Sequence, residues 1–166
     1  IEKFLSSIPK RISVVVDEAY YEYLEPSIDK SAVSLLKKYD NLFITRSFSK
    51  IYGLASLRVG YGISSSNNIE KIKIYKQPFN TNLLAQKAAI LALKDKKFIK
   101  KSKDNNTLAM QILTDVLKKL SINYLGTTCN FLTFEVGTKA NKLFTYLLKQ
   151  GIIVRPLINY KLPNYL

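Results

Sequence analysis

The sequence predicts an α/β protein that begins with the end of a parallel sheet and continues into a smaller α+β domain. Three observations support this fold class. A β-branched run, Ile12–Val16, stops at Asp17 as a buried parallel strand does. A second strand-like run, Asn41–Arg46, follows after a helical segment. Farther along, apolar residues recur at helical spacing over two long segments.

The first part of the chain contains three predicted strands, near residues 12–17, 42–46 and 57–63. A helix from about Asp29 to Lys38 separates the first two, and Arg58 opens the third. Ligands of open α/β sheets gather at the carboxyl ends of parallel strands. The side chains that follow the first two strands are therefore the candidates for a binding site.

Two helices are predicted next. Asn80 or Thr81 caps the first, which runs through Leu83 to Ala92. The second has a stripe of apolar side chains on one face: Leu108, Ile112, Leu113, Val116, Leu117 and Leu120. We interpret the stripes of both helices as core.

The smaller domain is completed by a strand-like run, Asn130–Val136, a helix from about Lys139 to Lys149, and a short strand, Ile152–Arg155. The charged turn Lys94–Lys97 is the predicted boundary. Residues 1–94 then form the C-terminal part of a larger domain, and residues 95–166 form the smaller one.

A reactive amine stands among groups suited to a phosphate in Ser47-Phe48-Ser49-Lys50, which Arg58 follows eight residues after the lysine. A lysine amine can form a Schiff base with the aldehyde of pyridoxal phosphate, while hydroxyls and a guanidinium can hold its phosphate. Asp17, at the end of the first strand, is the candidate carboxylate for the pyridinium nitrogen. Tyr20, three residues on, can donate a hydrogen bond to the phenolic oxygen. The sequence therefore predicts a pyridoxal-phosphate site at this sheet edge.

Each of these residues also has an ordinary structural interpretation. Lysines are abundant here, so Lys50 alone would be a solvated surface charge. Asp17 alone could be a cap or turn residue after a strand. Tyr20, Tyr21 and Tyr23 form a cluster, and we expect one of the three to pack in the core. Tyr20 is the candidate for the cofactor because of its spacing from Asp17.

Four segments then give the chain a resemblance to a known family: Val16–Tyr23, Arg46–Gly62, Pro78–Asn82 and Gly151–Pro156. They resemble the histidinol-phosphate aminotransferases, fold type I enzymes of histidine biosynthesis. The lysine segment is typical of fold type I aminotransferases in general. The motifs D-E-A-Y, P-F-N and I-V-R-P-L narrow the resemblance to this subgroup.

The resemblance implies that Lys50 forms the Schiff base and moves the proton between the substrate Cα and the cofactor. It implies that Asp17 and Tyr20 bind the cofactor ring, and that its phosphate is bound by Ser47, Ser49 and Arg58. Arg155 would serve the substrate phosphate and Asn130 would lie near the substrate, although Arg155 could also be an ordinary arginine at a strand end. No metal site is assigned.

The implied reaction exchanges an amino group between L-glutamate and imidazole-acetol phosphate, giving 2-oxoglutarate and histidinol phosphate. The implied enzyme is a homodimer when full length. A related enzyme such as a threonine-phosphate decarboxylase is the alternative within this fold, because the cofactor residues would be the same. A noncatalytic fragment is an alternative of another class, which an intact Asp17, Lys50 and Arg58 disfavour.

Family features are also expected outside this chain. A glycine-rich phosphate loop, a ring-stacking aromatic residue and an asparagine would precede the first strand. The arginine for the substrate carboxylate would follow Leu166. We therefore expect an internal piece of an enzyme that binds the cofactor poorly and is inactive alone.

Composition agrees with a cytoplasmic globular protein: 47% of residues are hydrophobic, 23% are charged, and no apolar run approaches the length of a membrane span. A lone cysteine, Cys129, favours a reducing compartment. The net charge of +14 and eleven tyrosines raise nucleic-acid binding as a rival hypothesis. However, only four of the 26 basic residues are arginines, and lysine enrichment runs along the whole chain. We therefore expect small-molecule substrates, with neither nucleic acid nor membrane as a partner.

Overall fold

The computed structural model describes residues 1–25 and 31–166, which form two compact units, Ile1–Lys103 and Asp104–Leu166. The predicted boundary after residue 94 stays a prediction. The first unit contains α1 (Glu2–Ser7), β1 (Val14–Asp17), β2 (Leu42–Ser47), β3 (Gly60–Ile63), α2 (Ser66–Lys73) and α3 (Leu83–Lys94). Helix α4 (Lys96–Lys119) runs through the division. The second unit adds β4 (Tyr124–Leu125), β5 (Thr133–Phe134) and α5 (Ala140–Lys149).

The sheet of the first unit has the order β1-β2-β3. Strands β1 and β2 are parallel, as predicted, with Asp17 opposite Thr45. Strand β3 runs antiparallel to β2, which corrects the expectation of a parallel third strand. The β2–β3 connection has a 3₁₀ turn at Ala55–Leu57 as its one regular element. A parallel neighbour usually needs a helix in the connection to cross the face of the sheet, and this connection has none.

The described residues cover only one of the two faces of the sheet. A core cluster of Leu5, Val14, Ala32, Leu42 and Ile44 packs on that face. Val15 and Asp17 alternate to the other face and are exposed, so β1 is half-buried rather than buried on both faces. A second cluster forms around Phe48, Ile51, Tyr52 and Ala89.

The segment between β1 and β2 differs from the predicted helix. Asp29 and Lys30, its predicted start, lie outside the described residues, and Ala32–Leu35 is a single 3₁₀ turn. Ser31 begins this turn, because its hydroxyl accepts a hydrogen bond from the Val33 N–H.

The two long predicted helices are present, with corrections to the first cap and to the burial of both. Asn82, rather than Asn80 or Thr81, caps α3, since its Oδ1 accepts a hydrogen bond from the Ala85 N–H at 2.8 Å. Helix α3 buries Ala85 and Ala89, while its leucines are exposed. On α4 the stripe predicted as core is likewise exposed, and Leu117 alone among its members is buried.

In the second unit, β4 and β5 form an antiparallel pair, shorter than the predicted strand 130–136. The chain end extends this sheet, because Leu166 and Phe134 exchange both backbone hydrogen bonds. Helix α5 matches its prediction closely. Ile152–Arg155 does not form the predicted strand, since it pairs with no other strand among the described residues.

Candidate cofactor site

The loop after β2 alternates buried and outward-facing residues. Phe48, Ile51 and Tyr52 are buried in the second core cluster. Their rings and methyl groups fix the loop from beneath, and Lys50 lies on its exposed side. Gly53 closes the turn with φ of +70°, and its N–H donates to the Lys50 carbonyl at 3.0 Å. The lysine is therefore presented to solvent by a backbone that its apolar neighbours hold in place.

Asp17 lies at the end of β1 on the same face of the sheet as Thr45. Its Oδ1 accepts hydrogen bonds from the Ala19 N–H at 3.0 Å and from the Thr45 hydroxyl at 3.1 Å. Among the described residues, both recorded hydrogen bonds to this carboxylate fall on Oδ1, so Oδ2 is the oxygen presented to a ligand. Thr45 is not among the residues that the sequence predicted for this site. The two-residue period of β2, which places Thr45 and Ser47 on one face, could have identified it.

The three neighbouring tyrosines have different surroundings. The Lys50 Nζ lies 4.9 Å from the centroid of the Tyr20 ring, within the range of a cation–π contact. Tyr21 stacks instead on the Arg46 guanidinium, at 4.0 Å. Tyr23 packs against the second core cluster. Tyr20 is thus the tyrosine that faces the candidate lysine, and Tyr23 takes the expected packing role.

Ser47 and Ser49 belong to the lysine loop, Ser47–Gly53, and Arg58 contacts it. The Ser47 hydroxyl accepts a hydrogen bond from the Ser49 N–H at 3.0 Å. Arg58 donates through Nη1 to the Ala55 carbonyl at 2.8 Å and to the Ser49 hydroxyl at 3.5 Å, the outer limit of hydrogen-bond distance. Arg58 has a left-handed backbone, φ 53°, which ends the 3₁₀ turn just before β3. A hydroxyl and a guanidinium therefore converge where an anion can bind both.

A buried ion pair lies on the reverse face of the sheet. Arg46 donates through Nε and Nη2 to Glu18 Oε2, at 3.0 and 2.8 Å. Burial acts to lower the pKa of Arg46, but the hydrogen bonds and charges of Glu18 and Tyr61 outweigh it and raise the pKa above its usual value. Arg46 therefore keeps its charge beside Glu18. Sequence reasoning assigned neither residue to the site.

The two predicted substrate residues lie in the second unit. Asn130 is exposed in the connection between β4 and β5. Arg155 is exposed in the irregular segment after α5, so it is not an arginine at a strand end. The structure thus places six candidates in the first unit and two in the second. Those of the first unit are Asp17, Tyr20, Ser47, Ser49, Lys50 and Arg58.

Residues 1–25 and 31–166 lack two kinds of feature. No helix there has both the length and the apolar character needed to cross a membrane. No group of three or more acidic, cysteine or histidine side chains within those ranges is placed to hold a metal ion.

The sequence matches the family model for aminotransferase class I and II over residues 1–166. A histidinol-phosphate aminotransferase 1 from Idiomarina loihiensis is 44% identical over 166 residues, which are 100% of this chain and 45% of that protein. The chain therefore spans less than half the length of this curated relative.

Solved structures agree with this match. The histidinol-phosphate aminotransferase from Clostridium acetobutylicum is 30% identical, with a TM-score of 0.85 over 95% of this chain and 48% of its own. The histidinol-phosphate aminotransferase from Sinorhizobium meliloti, solved in complex with pyridoxal-5'-phosphate, is 25% identical. It gives a TM-score of 0.84 over 93% of this chain and 44% of its own. The fold is that of the fold type I aminotransferases, as predicted.

Proposed function

Because the chain belongs to the aminotransferase class I and II family, we propose that it is part of a histidinol-phosphate aminotransferase. The protein exchanges an amino group between the L-glutamate/2-oxoglutarate pair and the imidazole-acetol phosphate/histidinol phosphate pair. The observation that carries the proposal is the 44% identity over all 166 residues to a protein named histidinol-phosphate aminotransferase. Its cofactor part is supported by the geometry of the first unit, in which Lys50 lies beside Tyr20 and Arg58 beside Ser49.

The residues of this edge fit pyridoxal phosphate by their chemistry. A lysine amine, a carboxylate oxygen, a phenol, hydroxyls and a guanidinium are the groups that its aldehyde, ring nitrogen, phenolic oxygen and phosphate require. Lys50 would bind the aldehyde and Asp17 the ring nitrogen. Tyr20 would bind the phenolic oxygen, and Ser47, Ser49 and Arg58 the phosphate. The bound cofactor supplies an electron sink for the negative charge that develops at the substrate Cα.

The chain's own residues divide the remaining work. Lys50 moves the proton at the substrate Cα, and the Tyr20 ring supports its amine from one side. The Asp17 carboxylate keeps the ring nitrogen protonated, and the hydrogen bonds to its Oδ1 fix its direction. The exposed position of Lys50 leaves it accessible to a substrate.

Arg155 and Asn130 complete the proposal on the substrate side. We assign Arg155 to the substrate phosphate, since a guanidinium matches phosphate geometry, and Asn130 to the vicinity of the substrate. The enzyme acts in the cytoplasm as a homodimer on small-molecule substrates. Light scattering of the full-length protein tests the dimer.

The test uses the full-length protein. Pyridoxal phosphate is added and the absorbance of its lysine adduct is recorded, after which histidinol phosphate is added without an acceptor. We expect the band to form, to convert to the pyridoxamine form, and to be absent in Lys50→Ala. If the band forms but does not change when histidinol phosphate is added, the cofactor assignment stands and the substrate assignment is overturned. A wild-type protein with no band would overturn the whole proposal.

A further inference from the structure

We propose that Glu18 and Arg46 are positioning residues that join the two strand ends of the cofactor site from behind the sheet. The inference rests on the proposed function, because it concerns how Asp17 and Lys50 are held for one cofactor. Neither residue faces the site. Their role is to fix the backbone of the residues that do.

The sheet geometry places the pair directly behind the site. Asp17 and Thr45 are opposite each other across β1 and β2, and side chains alternate between the two faces of a sheet. Glu18 follows Asp17 and Arg46 precedes Ser47, so the ion pair emerges on the opposite face. The Glu18 N–H also donates to the Thr45 carbonyl at 2.8 Å, which continues the strand pairing up to the pair.

Both carboxylate oxygens of Glu18 are needed. Oε1 accepts a hydrogen bond from the Ala32 N–H at 2.7 Å, and Oε2 accepts both hydrogen bonds from Arg46. The Ser31 hydroxyl lies 3.1 and 3.0 Å from the two oxygens. An amide has one acceptor oxygen, so glutamine in either orientation would turn its NH₂ towards a donor. Glu18 is 8% exposed, and that donor would have little water to replace its partner.

Glu18 thereby fastens both ends of the chain segment that carries Tyr20. The segment leaves the sheet after Asp17, and farther along the chain the Glu18 carboxylate accepts the backbone N–H of Ala32. Arg46 secures the same segment from β2, through Nη2 to the Ser31 hydroxyl at 2.9 Å and through its stacking on Tyr21.

The consequence is a fixed spacing between two groups of cofactor ligands. Asp17 and Tyr20 belong to the segment that Glu18 holds, while Ser47, Ser49 and Lys50 follow Arg46. A pair with side-chain exposures of 16% and 7% and two hydrogen bonds to one oxygen leaves little freedom between the segments. Ligands fixed in advance in this way bind a rigid cofactor without an ordering cost.

The test measures two properties of the full-length protein loaded with pyridoxal phosphate: the cofactor dissociation constant and the circular dichroism of the bound cofactor's visible band. The second reports the orientation of the ring and not the stability of the protein. For Glu18→Gln we expect the dissociation constant to rise about tenfold or more, the usual cost of losing a partner that orients a ligand. The dichroic band should weaken at saturating cofactor.

The matched control is Glu2→Gln, which removes an exposed ion pair of similar length, 2.7 Å to Lys38. We expect this variant to leave both readouts unchanged. Ser31→Ala is the second variant. It removes a donor to Glu18 and the acceptor of one Arg46 hydrogen bond, besides the cap of the 3₁₀ turn, but keeps the ion pair, and it should raise the dissociation constant about threefold.

A purely structural role gives a different result. If Glu18→Gln lowers the melting temperature but matches Glu2→Gln in both cofactor readouts, the proposal is overturned. If Glu18→Gln does not fold, Ser31→Ala decides: an unchanged dissociation constant overturns the proposal and an increase supports it. A wild-type protein that forms no Lys50-dependent band would overturn the proposed function and this inference with it.

Discussion

The lysine loop, Ser47–Gly53, and helix α3 contact the same core cluster but bury different residues in it. The loop buries its large side chains, Phe48, Ile51 and Tyr52. Helix α3 buries its alanines and leaves Leu84 and Leu91 75% and 68% exposed. Apolar side chains stabilise a fold only where neighbours remove them from water. The loop that carries the candidate residues is therefore stabilised by packing within this chain, whereas the exposed leucines of α3 contribute little to its stability.

The largest effect that tests this contrast is expected when one side chain in each region is replaced by alanine. Ile51→Ala should lower the free energy of unfolding by about 2–5 kcal/mol, because it leaves a cavity at a side chain that is 2% exposed. Leu91→Ala, the matched control in the 166-residue chain, should cost about 0.5 kcal/mol or less. Urea denaturation measures both. Equal losses would show that α3 is covered in solution and would remove the contrast.

A second substitution tests the backbone support of the loop rather than its side chains. A Cβ on Gly60 would lie 2.8 Å from the Arg46 carbonyl oxygen, next to Ser47. Gly60→Ala should therefore destabilise the chain by about 1–3 kcal/mol. Gly62→Ala in the same strand is the control, since its Cβ would meet the Ile44 carbonyl oxygen at an ordinary 3.8 Å. Thermal unfolding compares the two, and a tolerated Gly60→Ala would contradict the close approach.

A smaller effect concerns the buried phenol beneath the loop. Burial, then the charge of Glu22, raises the pKa of Tyr52, whose hydroxyl donates to the Glu22 carboxylate at 3.3 Å. A raised folded-state pKa gives stability that is complete below the unfolded value, about 10, and is lost as pH rises through the folded value.

We therefore expect the free energy of unfolding to fall from pH 9 towards pH 11, and to fall less steeply in Tyr52→Phe. At neutral pH this substitution should cost about 1 kcal/mol, the value of one hydrogen bond. Urea denaturation at several pH values provides the measurement. Parallel pH profiles for the two proteins would refute the assignment to Tyr52.

The smallest effect belongs to an ion pair outside both regions. The hydrogen bond and charge of Lys38 lower the pKa of Glu2, and both groups are exposed to solvent. Any stability from this pair is present above the unfolded pKa of Glu2 and is lost as pH falls through the folded one. Since exposed pairs contribute little, Glu2→Gln should leave the melting temperature unchanged at pH 7 and physiological salt. A clear drop in the melting temperature of Glu2→Gln would mean that exposed charge contributes more than packing to the stability of this region.

Local rules predicted where the candidate residues follow the strands. Asp17 ends β1 and Lys50 follows β2, the parallel neighbour of β1, because both positions depend on residues close in sequence. The antiparallel direction of β3 and the α2 helix were missed, although Ser65, whose hydroxyl accepts from the Asn68 N–H, marks the start of α2. The burial of α3 could not be predicted, since it depends on neighbours that its own periodicity does not specify.

The partnership of Glu18 shows a different limit. The sequence places two carboxylates side by side, Asp17 and Glu18, and strand alternation sends them to opposite faces. Only the packed structure shows that Arg46 comes from the adjacent strand to neutralise the second one. A pairing across separate strands leaves no spacing in the sequence from which to infer it.

The close approach at Gly60 has a consequence at the level of the gene. Every missense change of a glycine codon introduces a Cβ, so no substitution at this position avoids the Arg46 carbonyl. At Ile51 a valine codon offers an intermediate loss, and selection can act by degrees. At Gly60 every substitution must instead displace the strand beside Ser47, so all of them carry the cost of that displacement.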